Sequence, residues 1–210
     1  MIFDKYPQII WAISKIPDGN MSIKYGDVKK VLANRKKFFQ RLGIKNVVEV
    51  THVDDNKVLI VSDDINPQTE ADSLITDKKD VYLMIKPADC MAIGFYDPKH
   101  NAIGLTHAGS KGLKTDIIKN TVLEMTNSFK TSPKNLIVKI SPSIGPCHYQ
   151  INIWKEAENQ LVKSGILKEN IDNPKICTYE SSDYFSHRRS EDTNTPEGRF
   201  VTILGLKNVN

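Results

Sequence analysis

Apolar residues recur at helical spacing in three segments of the chain, which predicts helices over 27–42, 113–129 and 153–163. Asp27 stands where it can cap the first helix, and Gly43 stands where it can end it. An amphipathic helix buries its apolar stripe and leaves its other side in water. The stripe predicted for the first helix consists of Val28, Val31, Leu32, Phe39 and Leu42.

Shorter apolar runs predict strands over 47–53, 57–62, 81–86, 91–96, 102–106, 136–140 and 200–204. The first two strands flank a turn-prone triplet at 54–56, which predicts a β-hairpin. The polar, proline-containing stretch at 191–198 predicts a loop. Strands and helices follow in mixed order, and we find no repeat or linker. We therefore expect an α+β (mixed α/β) fold in a single domain over 1–210.

Composition narrows the class of protein. A chain of 210 residues can bury a substantial core, and its net charge of +4 is mild. Without a basic run or aromatic-basic repeat, we expect no nucleic-acid partner. No segment is long and apolar enough to suggest a membrane span, and the first residues do not resemble a signal peptide. Three cysteines, an odd number, argue against a disulfide scaffold and favour a reducing, cytoplasmic setting.

His52, Cys90 and His107 are the candidate metal ligands. Each follows or ends an apolar strand-like run. Two imidazoles and a thiolate suit Zn²⁺, and three protein ligands leave one position open for water or substrate. The alternative is that Cys90 is a small buried hydrophobe and the histidines are hydrogen-bonded core or rim residues.

Several short motifs resemble those of the YfiH/laccase-domain family, once called multicopper polyphenol oxidase and now described as zinc-dependent purine nucleoside phosphorylase. The separation between Cys90 and His107 matches the family's ligand spacing. The resemblance covers nearly the whole chain, in order. The motifs are ANR at 33–35, DSLIT at 72–76, ADC at 88–90, THAGSKG at 106–112, IGPC at 144–147, ICT at 176–178, YFSHRR at 184–189 and GR at 198–199.

The resemblance implies a four-layer α/β/β/α sandwich with mixed sheets, in which His52, Cys90 and His107 bind Zn²⁺. It also implies phosphorolysis of purine nucleosides (adenosine, inosine, guanosine or methylthioadenosine) by inorganic phosphate, and it extends to adenosine deamination. The expected partners are nucleosides and phosphate, without nucleic acid or membrane, and the expected assembly is a monomer or small homo-oligomer. One cysteine and few histidines in the candidate site cannot build a multicopper centre.

Five candidate residues surround the metal set. Asp89 could act as a general acid or base on the leaving purine, could hydrogen-bond a ligating histidine, or could simply stabilise a turn. Arg188 and Arg189 have planar guanidinium groups that suit bidentate contacts with phosphate. The alternative is that both arginines form ion pairs on the surface. Arg35 and Lys111 could add positive charge to the same anion site.

The rim of the site departs from the family pattern at Thr51, Val53, Ser110 and Lys111. Two other functions therefore stay open. One is a hydrolase with Cys90 as nucleophile and His107 as its base, linked through the family to the editing of peptidoglycan precursors. The other is a diverged, non-catalytic protein that binds zinc or nucleosides.

Overall fold

The computed structural model describes residues 2–61 and 69–208, which form two β-sheets and five α-helices. The helices are α1 (Val28–Leu42), α2 (Ser110–Lys114), α3 (Ile117–Phe129), α4 (Ile153–Lys163) and α5 (His187–Thr193). The strands are β1 (Ile9–Ile13), β2 (Val47–Val48), β3 (Val58–Ile60), β4 (Ser73–Thr76), β5 (Tyr82–Ile85), β6 (Met91–Asp97), β7 (Ala102–Ala108), β8 (Ile137–Ile140), β9 (Ile171–Asp172) and β10 (Thr202–Leu206).

Both sheets are mixed. The smaller sheet has the strand order β1-β10-β5-β2, and the larger has the order β3-β4-β7-β6-β8-β9. In the smaller sheet only β2 and β5 run parallel, and in the larger sheet the parallel pairs are β3 with β4 and β8 with β9. Long hairpin-like pairing of β6 with β7 forms the centre of the larger sheet.

Alternation of side chains along the strands builds three apolar layers. Within β5, Leu83 and Ile85 pack between the two sheets, whereas Tyr82 and Met84 pack on the side of α1. The outer face of the larger sheet packs against α2, α3 and α4 through residues such as Phe95. The layers therefore run helix, sheet, sheet, helices, which confirms the expected four-layer mixed α/β fold.

The first helix begins and ends where the sequence predicts. The side chain of Asp27 accepts a hydrogen bond from the backbone N–H of Lys30, and Gly43 ends the helix with a left-handed φ of 66°. Its predicted apolar stripe is only partly correct, because Val28 and Leu32 are about half exposed. The buried residues are Val31, which the predicted stripe includes, and Arg35 and Phe38, which it does not.

The predicted hairpin across 54–56 is wrong. Its two arms belong to different sheets: β2 pairs in parallel with β5, and β3 pairs in parallel with β4. The end of the second predicted arm at Ser62 lies outside the described residues. The turn at 54–56 therefore connects the two sheets instead of reversing the chain within one.

Other differences are local. The helix predicted over 113–129 is two helices, separated at Asp116, whose φ is 61°. Part of the predicted loop at 191–198 belongs to α5, while β1, β4 and β9 were not predicted. Across 2–61 and 69–208, no helix combines the length and hydrophobicity that crossing a membrane requires.

Candidate metal and anion site

Cys90 and His107 meet where the central strands of the larger sheet pair. Cys90 immediately precedes β6, and His107 lies near the end of β7, opposite Ala92 in the register. The backbone approaches closely at Gly109, where a Cβ atom would lie 2.7 Å from the Cys90 sulfur. The missing side chain at 109 thus leaves room for the thiol.

His52 joins them from the segment between β2 and β3. Its ring stacks on that of His107, with centroids 4.6 Å apart and 5° between the planes. Nε2 of His52 and Nδ1 of His107 are buried and make no hydrogen bond. Because buried polar atoms are rarely left without a partner, Nε2 of His52 fits a site where a cation supplies one. Nδ1 of His107 instead faces the carboxylate oxygens of Asp72 and Asp54, at 3.5 and 3.6 Å.

The surroundings shift the pKa values of the two imidazoles in opposite directions. Burial, aided by the positive charges of His107 and Lys86, lowers the pKa of His52 well below its usual range. Burial also disfavours charge on His107, but negative charge on Cys90 and the neighbouring Asp72 carboxylate outweigh it and raise the pKa of His107 to about 10. His52 is therefore neutral at pH 7, as a metal ligand must be, whereas His107 would release a proton on binding a metal.

Asp72 is a fully buried carboxylate beside His107. Its Oδ1 atom accepts hydrogen bonds from the backbone N–H groups of Val53 and Asp54, and its Oδ2 atom accepts one from that of Asp55 at 2.7 Å. Oδ1 also lies 3.5 Å from Nδ1 of His107. Asp72 therefore fixes the turn after His52 against the His107 ring.

One compact group around His107 could hold a metal ion. The ligand atoms of Asp54, Asp72 and His107 all lie within 4.8 Å of one another. His52 and Cys90 line the same cavity as His107. Among the described residues, however, the predicted ligands His52, Cys90 and His107 are not a group whose ligand atoms all lie within 4.8 Å of one another. Since three backbone N–H groups already occupy Asp72, its carboxylate suits orientation of the histidine better than ligation.

The cavity that these residues line has a volume of about 580 Å³. Arg35 forms part of its wall, with Nη1 2.8 Å from Oε1 of Glu49 and Nε donating to the carbonyl oxygen of Met21. Lys86 binds the other carboxylate oxygen of Glu49. The positive charges of Lys86 and Arg35 lower the pKa of Glu49 despite its burial, which alone would raise it. Arg35 is therefore engaged by a carboxylate within the wall.

A smaller cavity of about 130 Å³ adjoins the first, and Ala88, Cys90 and His187 line both. Asp89 and Arg188 line the smaller one. Cys90 therefore stands between a larger space bordered by the histidines and a smaller one bordered by a carboxylate and a guanidinium.

Asp89 ties three segments together at the floor of the smaller cavity. Its two carboxylate oxygens accept hydrogen bonds from the Thr178 hydroxyl at 2.6 Å and from the backbone N–H of Arg188 at 2.7 Å. Its carbonyl oxygen accepts from the N–H of Ile144. The φ of Asp89 is 84°, a left-handed conformation that is costly for a residue with a side chain and is concentrated at functional sites.

Arg189 uses its guanidinium to hold the backbone. Nη1 donates to the carbonyl oxygens of Thr178, Tyr179 and Ser181, and Nη2 donates to that of Tyr184, all within 2.9 Å. These four contacts close the loop that precedes α5. The guanidinium of Arg189 therefore has a structural role, because these hydrogen bonds bind backbone carbonyl oxygens.

The remaining predicted anion-binding residues differ in position. The side chain of Arg188 is 44% exposed, with Nε 4.0 Å from Glu191. Lys111 is exposed on α2 and borders neither cavity. Among the four predicted anion-binding residues, all within the described part of the chain, only Arg188 borders the smaller cavity beside Cys90.

Sequence reasoning missed several residues of the larger cavity. Glu49 and Lys86 each stand within or beside an apolar strand-like run, and a charge there could have signalled a buried ion pair. Arg199 lies over the ring of Tyr25, with 4.0 Å from the guanidinium carbon to the ring centroid. No local pattern links these two, because they are far apart in the chain.

Fold and site together define a four-layer mixed α/β protein with a His/Cys cavity beside the central strands of its larger sheet. Residues 13–153 and 148–207 match the model of the family described as multi-copper polyphenol oxidoreductase laccase, and the chain belongs to this family. The resemblance recognised in the sequence is therefore confirmed.

Solved structures support the same fold. YfiH of Bacillus licheniformis, a hypothetical protein, matches with a TM-score of 0.88 at 23% identity, over 97% of this chain and 95% of that one. YlmD from Geobacillus stearothermophilus matches with a TM-score of 0.89 at 22% identity, over 97% and 93%.

Curated relatives carry a functional name. Purine nucleoside phosphorylase YlmD of Bacillus subtilis is 28% identical over 65% of this chain and 59% of its own length. The purine nucleoside phosphorylase of Clostridium acetobutylicum is 28% identical over 81% of each chain. The match spans less than two thirds of the first relative, and only 55% of another from Bacteroides thetaiotaomicron.

Proposed function

We propose that this protein is a purine nucleoside phosphorylase that binds zinc through His52, Cys90 and His107. The reaction converts a purine nucleoside and phosphate into the free base and ribose 1-phosphate. The names of the relatives support the reaction class. The observation that carries the site is a thiol beside two stacked imidazoles, with the buried Nε2 atom of His52 left without a hydrogen bond, on a cavity wall that continues to an arginine.

The donor set fits zinc better than magnesium. A thiolate with two imidazoles is a borderline-soft set, whereas Mg²⁺ prefers oxygen ligands. When bound, zinc supplies a Lewis acid that polarises a phosphate oxygen or lowers the pKa of a water molecule to about 7. Asp72 orients His107, and the neutral state of His52 leaves its nitrogen lone pair free for a metal.

We assign phosphate to the smaller cavity, where Arg188 stands beside Cys90. A guanidinium offers two parallel donors to a phosphate and can hold it against the sugar carbon that it attacks. Both carboxylate oxygens of Asp89 already accept hydrogen bonds, one of them from the backbone of Arg188. We therefore propose that Asp89 positions Arg188 and does not exchange protons with the substrate.

We assign the nucleoside to the larger cavity. Its volume of about 580 Å³ falls within the range of small-molecule sites. The Tyr25 ring, with Arg199 over it, gives that cavity an aromatic and cationic side on which a purine could stack. Glu49 lines the same cavity, and its carboxylate, which binds Arg35 and Lys86, could accept hydrogen bonds from the base.

The direct test is a panel of adenosine, inosine, guanosine and methylthioadenosine, incubated with the zinc-loaded protein with and without phosphate. Free base should appear only with phosphate, together with an equal amount of sugar 1-phosphate. Base released equally without phosphate would identify a hydrolase. The same chromatograms report any inosine formed from adenosine, which tests the adenosine deamination that the family resemblance implies.

Arg188 and Arg189 should respond differently to the same substitution. Arg188→Lys is expected to raise the phosphate KM, or lower kcat, by about 10-fold, because a lysine cannot replace the bidentate contact. Arg189→Lys should instead lower the melting temperature, because one ammonium cannot serve four carbonyl oxygens. Steady-state kinetics and thermal unfolding of both variants make the comparison. An unchanged phosphate KM and kcat in Arg188→Lys would move the anion site elsewhere.

A second candidate is the Cys90/His107 hydrolase. Negative charge on Cys90 is among the causes that raise the pKa of His107 to about 10, so an imidazolium stands beside the Cys90 sulfur in the metal-free protein. That pair is also the starting state of a thiol nucleophile. The cytoplasmic setting and a monomer or small homo-oligomer remain part of the proposal, the setting because an odd number of cysteines argues against a disulfide scaffold.

A further inference from the structure

Cys147 and Cys177 form a thiol pair outside the two cavities described above. Their sulfur atoms lie 3.6 Å apart, although 30 positions separate the residues in the chain. A carboxylate oxygen of Glu180 lies close to both sulfur atoms, and these three potential ligand atoms all lie within 4.8 Å of one another. The cluster therefore combines two soft donors and a carboxylate from two separate segments.

We propose that Cys147, Cys177 and Glu180 form a second metal site, for a thiophilic divalent cation of the zinc class. Two thiolates at about 2.3 Å from a tetrahedral zinc ion lie about 3.8 Å from each other. The observed separation of 3.6 Å is close to that value. A disulfide would instead require the sulfurs to approach to about 2.05 Å. With a carboxylate as third ligand, the fourth position is open to water.

The backbone around the inner sulfur suits a thiolate. The N–H of Gly145 donates to Sγ of Cys177 at 3.2 Å, and such contacts stabilise negative charge on a metal-bound sulfur. A Cβ atom at 145 would lie 3.1 Å from Sγ of Cys147, so the glycine also leaves space for the outer sulfur. Cys177 is buried and Cys147 is exposed, which gives a cation access from solvent.

His148 stands beside the carboxylate of the cluster. Its Nε2 atom lies 3.5 Å from Oε1 of Glu180, and its ring stacks on Tyr179 with centroids 3.7 Å apart. A histidine in this position can orient a ligating carboxylate from outside the first coordination shell. The imidazole therefore supports Glu180 in the geometry that the site needs.

A metal here would join two segments beneath the smaller cavity. Ser143 and Cys177 already form an isolated parallel bridge. Ile144 and Thr178, next to them in the chain, both donate hydrogen bonds to Asp89. We therefore expect the second metal to stabilise the two segments whose hydrogen bonds hold Asp89 in place beside the smaller cavity.

The test uses Co²⁺ and the full chain carrying Cys90→Ala, which removes the thiolate of the first site. Anaerobic titration of this reduced protein should give thiolate-to-cobalt charge-transfer absorption that saturates near one equivalent per chain. Adding Cys147→Ser should abolish that absorption, and adding Glu180→Gln should weaken cobalt binding by about 10-fold or more. Glu191→Gln, which changes an exposed carboxylate elsewhere on the surface, is the matched control and should leave the titration unchanged.

The protein with Cys90 intact provides the second measurement. Its zinc content should fall by one equivalent per chain on Cys147→Ser, while the zinc at the first site remains. Because Cys147 is exposed, this substitution should not prevent folding. A charge-transfer band that survives Cys147→Ser, or its absence from the reduced Cys90→Ala protein, would overturn the second site. Recovery of the pair as a disulfide from freshly lysed cells would overturn it as well.

Discussion

Replacement of Cys90 by alanine is expected to remove most of the zinc bound at the first site and to lower kcat/KM for phosphorolysis by about 100-fold or more. The reason is that a Lewis acid contributes several kcal/mol to a transition state, and each 1.36 kcal/mol corresponds to a factor of ten. His52→Ala and His107→Ala should cause similar losses, because each removes one of three proposed ligands. Metal analysis per chain and initial rates on the same preparations measure both effects.

His100→Ala is the control for these variants. His100 lies in the turn after β6, where its Nδ1 atom is 2.7 Å from the Asp97 carboxylate, and it borders neither cavity. It should keep the zinc of the first site and its phosphorolysis rate. Full zinc at the first site in Cys90→Ala would remove Cys90 from the ligand set.

Asp72→Asn is expected to lower the free energy of unfolding by about 2–4 kcal/mol, because a buried network of hydrogen bonds to a charged acceptor is broken. An amide nitrogen would face one of the backbone N–H groups of Val53, Asp54 or Asp55 that now donate to the carboxylate. Zinc affinity should also fall, by about 10–100-fold, as His107 loses its orienting partner. Urea unfolding of the metal-free protein and competitive zinc titration separate the two effects.

Asp55→Asn is the matched control, because it makes the same change of charge on an exposed side chain, within the turn whose backbone Asp72 binds. Its unfolding free energy should stay within about 0.5 kcal/mol of the parent protein. If Asp72→Asn were as stable as Asp55→Asn and bound zinc equally well, Asp72 would have no part in building the site.

The periodic part of the fold could be predicted from the sequence because local rules decide it. Asp27 and Gly43 delimit α1 through their own hydrogen bonds and backbone angles. The prediction of a hairpin at 54–56 is wrong because strand pairing depends on residues that are distant in the chain. The backbone N–H groups of this turn bind the side chain of Asp72, and its flanking strands pair with β5 and β4.

The candidate site, like the fold, could be predicted only in part from the sequence. Spacing and family resemblance identified Cys90 and His107, whose approach follows from the pairing of β6 with β7. Neighbouring residues, however, can have different partners that no motif reveals. Arg188 borders the smaller cavity, whereas the guanidinium of Arg189 donates to four backbone carbonyl oxygens. Asp72 also lay within a recognised motif, but its link to His107 depends on tertiary contacts.

The rate at which Cys90 is alkylated, before and after chelation, tests most directly whether this protein carries out metal-assisted phosphorolysis. Peptide mapping separates Cys90 from the exposed Cys147. If Cys90 is a zinc ligand, its alkylation should be slow in the zinc-loaded protein and faster after the metal is removed, and phosphorolysis should disappear with the metal. Rapid alkylation of Cys90 in a metal-free preparation that is still active, with activity lost in proportion to the modification, would contradict this account and identify a thiol nucleophile.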